Sequence, residues 1–96
     1  MDFSDFQDKI KLIVYDCDGV LTDNRVLVDE DGREAAFFNR GDGTGISRIR
    51  KEYSICQIII STETNPIVVK RGEKLGIEVI NGVDDKAAAL RQYCER

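Results

Sequence analysis

The stretch LIVYDCDGVLTD, residues 12–23, constrains this chain more than any other. Leu12, Ile13, Val14 and Tyr15 run straight into Asp16 and Asp18, with Gly19 directly behind. A short, branched apolar run closed by a turn signal reads as a buried strand over residues 11–16. Two carboxylates at the end of such a strand repel each other and lose hydration, so a fold keeps both only where something compensates them. Plain turn chemistry is the competing reading, since Asp and Gly close many loops. A helix-loop-helix calcium site is excluded. Counted from Asp16, its sixth and twelfth positions are Leu21 and Leu27, where glycine and glutamate are required.

The rest of the chain alternates. Residues 25–38 read as a hairpin whose halves flank Asp31-Gly32, a dipeptide suited to a tight two-residue turn. NRGDGTG, residues 39–45, reads as a loop on its glycine content. Ile46, Ile49 and Tyr53 recur at helical spacing with Arg48, Arg50 and Lys51 between them, which predicts an amphipathic helix. ICQIII, residues 55–60, is a second buried strand, ended by the polar run STETN. Pro66 opens a helix capped by Thr64 or Asn65, running to about Leu75 and stopped by Gly76. Residues 77–80 form a third strand, and Asp84 or Asp85 caps a last helix through Ala87, Ala88, Ala89 and Leu90. This order predicts one α/β domain over residues 1–96, with a Rossmann-like, mainly parallel sheet between helices and a projecting β-hairpin. It stops at a helix, without the strand that normally follows, so the sequence reads as truncated at its C-terminus.

Bulk properties narrow the function. Ninety-six residues allow one small domain. With 14 basic against 18 acidic residues, the net charge of -4 offers no broad field for nucleic acid or an anionic membrane. The longest apolar run, Ile58 to Ile60, is too short to span a bilayer, and no secretory leader opens the chain. Cys17, Cys56 and Cys94 show no metal or redox spacing, and there is no histidine. They read as reduced thiols of a cytoplasmic protein, Cys17 and Cys56 as core filler. Lys70, Arg71 and Lys74 read as a solvated basic helix face.

In open parallel sheets, ligands gather beyond the carboxyl ends of the strands. That places Asp16 and Asp18 after the first strand, Ser61 and Thr62 after the second, and Lys86 near the last helix, around one crevice. The set suits phosphoryl transfer. Asp16 is the candidate nucleophile, forming an aspartyl-phosphate, and Asp18 the candidate acid and base. Ser61, Thr62 and Lys86 are candidates for binding phosphate oxygens. A carboxylate attacking a phosphate dianion needs a divalent cation, and Mg2+ prefers oxygen donors such as Asp16 and the Asp18 backbone carbonyl supply. The GDGTG stretch imitates a phosphate-cradling loop but lacks the dinucleotide spacing and follows no parallel strand.

These residues also carry a resemblance. YDCDGVLTD resembles the first motif of the haloacid dehalogenase-like (HAD) superfamily, IIIS ending at Ser61 its second, and GVDDKAAAL with Lys86 its third. DEDG in the hairpin, FFNRGDGTGI and GVDDK resemble the capless subgroup of 3-deoxy-manno-octulosonate 8-phosphate (KDO 8-phosphate) phosphatases. That subgroup includes phosphatases of nine-carbon sialic-type sugar acids. The resemblance implies a three-layer HAD core and a magnesium-dependent phosphatase of a phosphorylated sugar acid. It also implies a homotetramer in which one subunit's hairpin helps to cover its neighbour's site. Asp42, with Gly43, resembles a substrate-contact position, and Asp42 reads equally well as a helix cap. Two departures stand out. The family's acidic fourth motif has no counterpart in these residues, and Thr62-Glu63 stand where relatives commonly carry Gly-Arg. A non-catalytic, phosphatase-like oligomerisation module or an inactive fragment is the alternative function.

Overall fold

A computed structural model describes residues 9–96. The first eight, on which the reading of an absent leader rests, lie outside the described residues. The elements follow in the order β1 (Leu12–Tyr15), β2 (Leu27–Val28), β3 (Glu34–Ala35), α1 (Arg40–Glu52), β4 (Cys56–Ile60), α2 (Ile67–Leu75), β5 (Glu78–Ile80) and α3 (Lys86–Cys94). β4 lies between β1 and β5 and is parallel to both. Its register sets Tyr15 beside Ile59 and Ile60 beside Ile80. β2 and β3 pair antiparallel as a separate hairpin.

Side chains alternate across a strand, so the isoleucines of β4 serve both faces. Ile59, fully buried, joins Cys17, Leu21, Ile46, Val68 and Leu75 in the core beneath α1 and α2. Ile60 faces the other way, toward α3, and borders a small cavity with Ala87 and Leu90. Burying each such side chain is worth about 1.5–3 kcal/mol. The outcome is the expected sheet between helices. One polar residue sits inside it without penalty: Gln57 accepts from the Tyr15 hydroxyl at 2.6 Å and donates to the Ile46 carbonyl at 3.0 Å. That side chain ties β1 and α1 to the central strand.

Several boundaries match the sequence reading. Gly76 ends α2 in the left-handed conformation, Asn65 accepts from the Ile67 amide ahead of that helix, and Asp85 caps α3 through the Ala88 amide. Three expectations are corrected. NRGDGTG is no loop beyond Asn39, for α1 begins at Arg40 and contains all three glycines. Asn39 caps it by accepting from the Gly41 amide at 2.7 Å, and Asp42 lies in the favourable first turn. The hairpin turn is longer than Asp31-Gly32 alone. Asp29 pairs with Arg33 around a three-residue loop in which only Gly32 takes a positive φ, 82°. The Asp29 carboxylate stabilises this loop by accepting from the Asp31 and Arg33 amides. Cys56 is no core filler either; it opens β4 at the surface, its Sγ 3.0 Å from the Tyr93 hydroxyl.

Two glycines of similar helical context differ in what surrounds them. A Cβ at residue 72 would overlap the Val79 side chain, because α2 is pressed onto β5 there, whereas one at residue 45 would meet nothing within 4 Å. Gly72→Ala is therefore expected to destabilise the fold by about 1–3 kcal/mol. Gly45→Ala is expected to stabilise it by roughly 0.4–1 kcal/mol. Urea unfolding of both variants measures the contrast, and equal effects would contradict the packing described.

Candidate active site

Asp16 is the first residue beyond β1, and the chain alternates outward, inward, outward through Asp16, Cys17 and Asp18. Both aspartates are exposed while Cys17 is 2% exposed and plugs the core. The Cys17 carbonyl accepts from the amides of Val20, Leu21 and Thr22 at 2.9–3.2 Å, which winds the following loop tightly. Gly19, at φ 78°, permits the reversal. The Thr22 hydroxyl accepts from the Gly19 and Asn24 amides at 3.2 and 3.1 Å and closes the loop. Thr22 escaped the sequence reading, although a threonine three residues after Gly19 was the signal for it.

Lys86, at the start of α3, reaches across to this loop. Its Nζ lies 2.8 Å from Asp16 Oδ1, and the Cys17 amide donates to the same oxygen at 2.8 Å. The Lys86 contact is the main reason the Asp16 carboxyl is held below the usual carboxylate range; burial opposes it and the Cys17 amide reinforces it. The Cys17 thiol is pushed the other way, up to about 11, by burial and then by the charges of Asp18, Asp16 and Glu63. Cys17 thus stays protonated and is no rival nucleophile at neutral pH. The second Asp16 oxygen and both oxygens of Asp18 have no partner among the described residues.

The strand register brings the end of β4 to the same rim. Ser61 is 1% exposed and locked in place: its amide donates to Ile80, its carbonyl accepts from Val83, and its Oγ accepts from the Glu63 amide at 3.0 Å. The Ser61 hydroxyl proton remains to be given. Thr62 beside it is exposed. Glu63 folds back, one carboxylate oxygen accepting from the Thr64 and Asn65 amides at 3.0 Å. Asn65 in turn donates to Glu34 of β3 at 2.7 Å, fastening the hairpin to this loop. No local pattern announces a contact between residues 31 apart.

Asp16, Asp18, Ser61, Thr62 and Lys86 therefore share one end of the sheet. Asp42 lies on the hairpin side, in a cavity of about 330 Å³ with Val20, Thr22 and Phe37. Gly43 lies elsewhere, against Leu75 in a cleft between α1 and α2. Among the described residues no three or more His, Cys, Asp or Glu side chains cluster as a ready metal cage. The free carboxylate oxygen of Asp16 and the backbone carbonyl of Asp18 are nonetheless hard donors that fit a magnesium ion completed by water and substrate. No helix among the described residues is long and apolar enough to cross a membrane.

A parallel sheet between helices, with an Asp-x-Asp loop after its first strand and a lysine reaching back to the first aspartate, has the layout of a HAD-like core. No family model matches the sequence. Solved structures do match. A Streptomyces avermitilis protein described as a HAD family hydrolase gives a TM-score of 0.86 at 48% identity, over 93% of this chain and 51% of that one. The Moraxella catarrhalis 3-deoxy-D-manno-octulosonate 8-phosphate phosphatase, solved with magnesium ion, phosphate ion and KDO, gives 0.83 at 31% identity, over 98% and 56%. The enzyme of that name from Haemophilus influenzae is 33% identical over 72 residues, 75% of this chain and 39% of its own. The homologues and structural neighbours of this chain are thus HAD-family hydrolases, KDO 8-phosphate phosphatases among them. The chain spans 39% of that curated relative and about half of the matched structures.

Because Lys86 depresses the Asp16 carboxyl, Asp16 stays ionised further into acid than an isolated aspartate. The linked stability is present above the unfolded carboxyl's range and is lost as pH falls through the lowered native value. Lys86→Met is expected to move the Asp16 titration upward, read from its side-chain carbonyl carbon by NMR. An unchanged titration would mean that the 2.8 Å contact does not persist in solution.

Proposed function

We propose that this chain carries the catalytic residues of a magnesium-dependent phosphatase acting on a phosphorylated sugar acid, KDO 8-phosphate or a nonulosonate 9-phosphate. The observation that carries the reading is the Lys86–Asp16 contact at 2.8 Å, which joins residues 70 apart at the mouth of the sheet beside a free Asp18. Asp16 attacks phosphorus with a carboxylate oxygen and the bond to the sugar oxygen breaks. Asp18 gives that oxygen its proton, then removes one from the water that cleaves the aspartyl-phosphate, releasing phosphate and restoring Asp16. Lys86 and the Ser61 hydroxyl hold non-bridging oxygens while charge redistributes, and exposed Thr62 lies within the same rim. Asp42, in the cavity with Val20, Thr22 and Phe37, is assigned to the sugar by resemblance to a substrate-contact position. Bound at Asp16 and Asp18, a magnesium ion would neutralise phosphate charge and orient the group.

The hairpin supports self-association. Val26, Leu27, Val28 and Phe37 are 58%, 67%, 58% and 75% exposed, an apolar surface on a small domain. We read it as an interface between copies of this chain, in a tetramer by resemblance to the capless phosphatases. The free cysteines support a reducing, cytoplasmic setting.

Phosphate release from KDO 8-phosphate and from sialic acid 9-phosphate, with and without magnesium, tests the activity. Asp16→Asn is expected to lower magnesium-dependent release by about a thousandfold or more while leaving the fold intact. Folded wild-type protein that releases nothing would favour the non-catalytic module. Leu27→Lys is expected to reduce the mass seen by light scattering on a sizing column; an unaltered mass would remove the hairpin from the interface.

A further inference from the structure

A concentration of positive charge lies away from the crevice. A cleft of about 700 Å³ runs between α1 and α2. Of the chain's 14 basic residues six line it, against one of its 18 acidic residues, Glu52. In a chain of net charge -4 this is a concentration that the overall composition opposes. Two of the six have structural duties. Arg50 donates to the carbonyls of Leu75 and Gly76 at 2.7 and 3.2 Å, closing the C-terminal end of α2. Arg71 donates to the Asn39 carbonyl at 3.1 Å and stacks over Phe38. Glu52 is already occupied by Arg48 at 3.1 Å. Arg40, Lys51 and Lys74 remain, with no ion pair or hydrogen bond among the described residues. The hydroxyls of Thr44 and Ser47 line the same cleft.

We infer that this cleft is a binding site for a compact oligophosphate anion, separate from the Asp16 crevice. Its lining is almost wholly donors, which suits a ligand that is almost wholly acceptors. The cleft is larger than one phosphate requires, and cations from both helices border it, so a chain of two or three phosphoryl groups fits better than a single one. No aromatic side chain lines it, which removes the platform that a nucleobase or single-stranded nucleic acid would stack upon. The acidic hairpin tip of a second copy is a poorer occupant, because Asp29 and Asp31 already pair with Arg33.

Calorimetric titration of the full chain with inorganic tripolyphosphate, pyrophosphate and orthophosphate, in EDTA to keep magnesium out of the Asp16 crevice, tests this. Affinity should rise in the order orthophosphate, pyrophosphate, tripolyphosphate, and weaken as salt is raised. The Lys51→Glu/Lys74→Glu double variant should bind tripolyphosphate at least about tenfold more weakly, with Lys51→Gln/Lys74→Gln in between. Both should keep the wild-type circular dichroism and any magnesium-dependent phosphate release. Equal affinity in wild type and charge-reversed protein, or no binding by wild type at low salt, would overturn the proposal. So would loss of binding on Lys86→Met instead, which would place the anion in the active crevice.

Discussion

Burial of three successive isoleucines on β4 sets the position of nearly everything else. A strand with apolar side chains on both faces must be covered twice, and α1 and α2 on one side with α3 on the other do so. Its two parallel neighbours then end at the same rim, β5 level with it and β1 one residue short. Asp16 and Ser61, the first residues past β1 and β4, come to that rim together for this reason and not through any contact of their own. Lys86 is carried in by α3. The site's geometry is thus a by-product of core burial, refined by one charged hydrogen bond.

Much of this was legible from residue order. Strands announce themselves by runs such as LIVY and CQIII, although only β4 is buried as expected while β1, at the sheet's edge, is partly buried with Val14 exposed; Gly76 and Asp85 act as stop and start because their backbone chemistry is local. The conflicts arose where tertiary packing outweighs local preference. Gly41, Gly43 and Gly45 disfavour helix individually, yet the Asn39 cap, the buried Ile46 anchor and the close approach of Gly43 to Leu75 draw them into α1. Cys56 looked apolar by neighbourhood, but it opens β4 instead of filling its middle. The Asn65–Glu34 contact left no trace in the sequence, since long-range hydrogen bonds between exposed polar residues have no periodic signature.

Electrostatics divides the molecule into two regions of opposite character. At the strand ends, Asp16, Asp18 and Glu63 gather negative charge around one lysine, an arrangement that favours a cation and the phosphate accompanying it. Between α1 and α2 the imbalance is positive. Glu63 is instructive between the two: it spends a carboxylate oxygen on the Thr64 and Asn65 amides and so organises the loop rather than leaving that oxygen to a cation.

The Asn65 side chain has a mechanical consequence. With one end it holds the Ile67 amide at the head of α2, and with the other it grips Glu34 on the hairpin. Hairpin and loop are therefore coupled as a lever is coupled to its pivot. A load on the exposed apolar strands of the hairpin is delivered in part through this amide to the backbone segment that begins at Ser61, so whatever seizes the hairpin also pulls on the wall of the crevice.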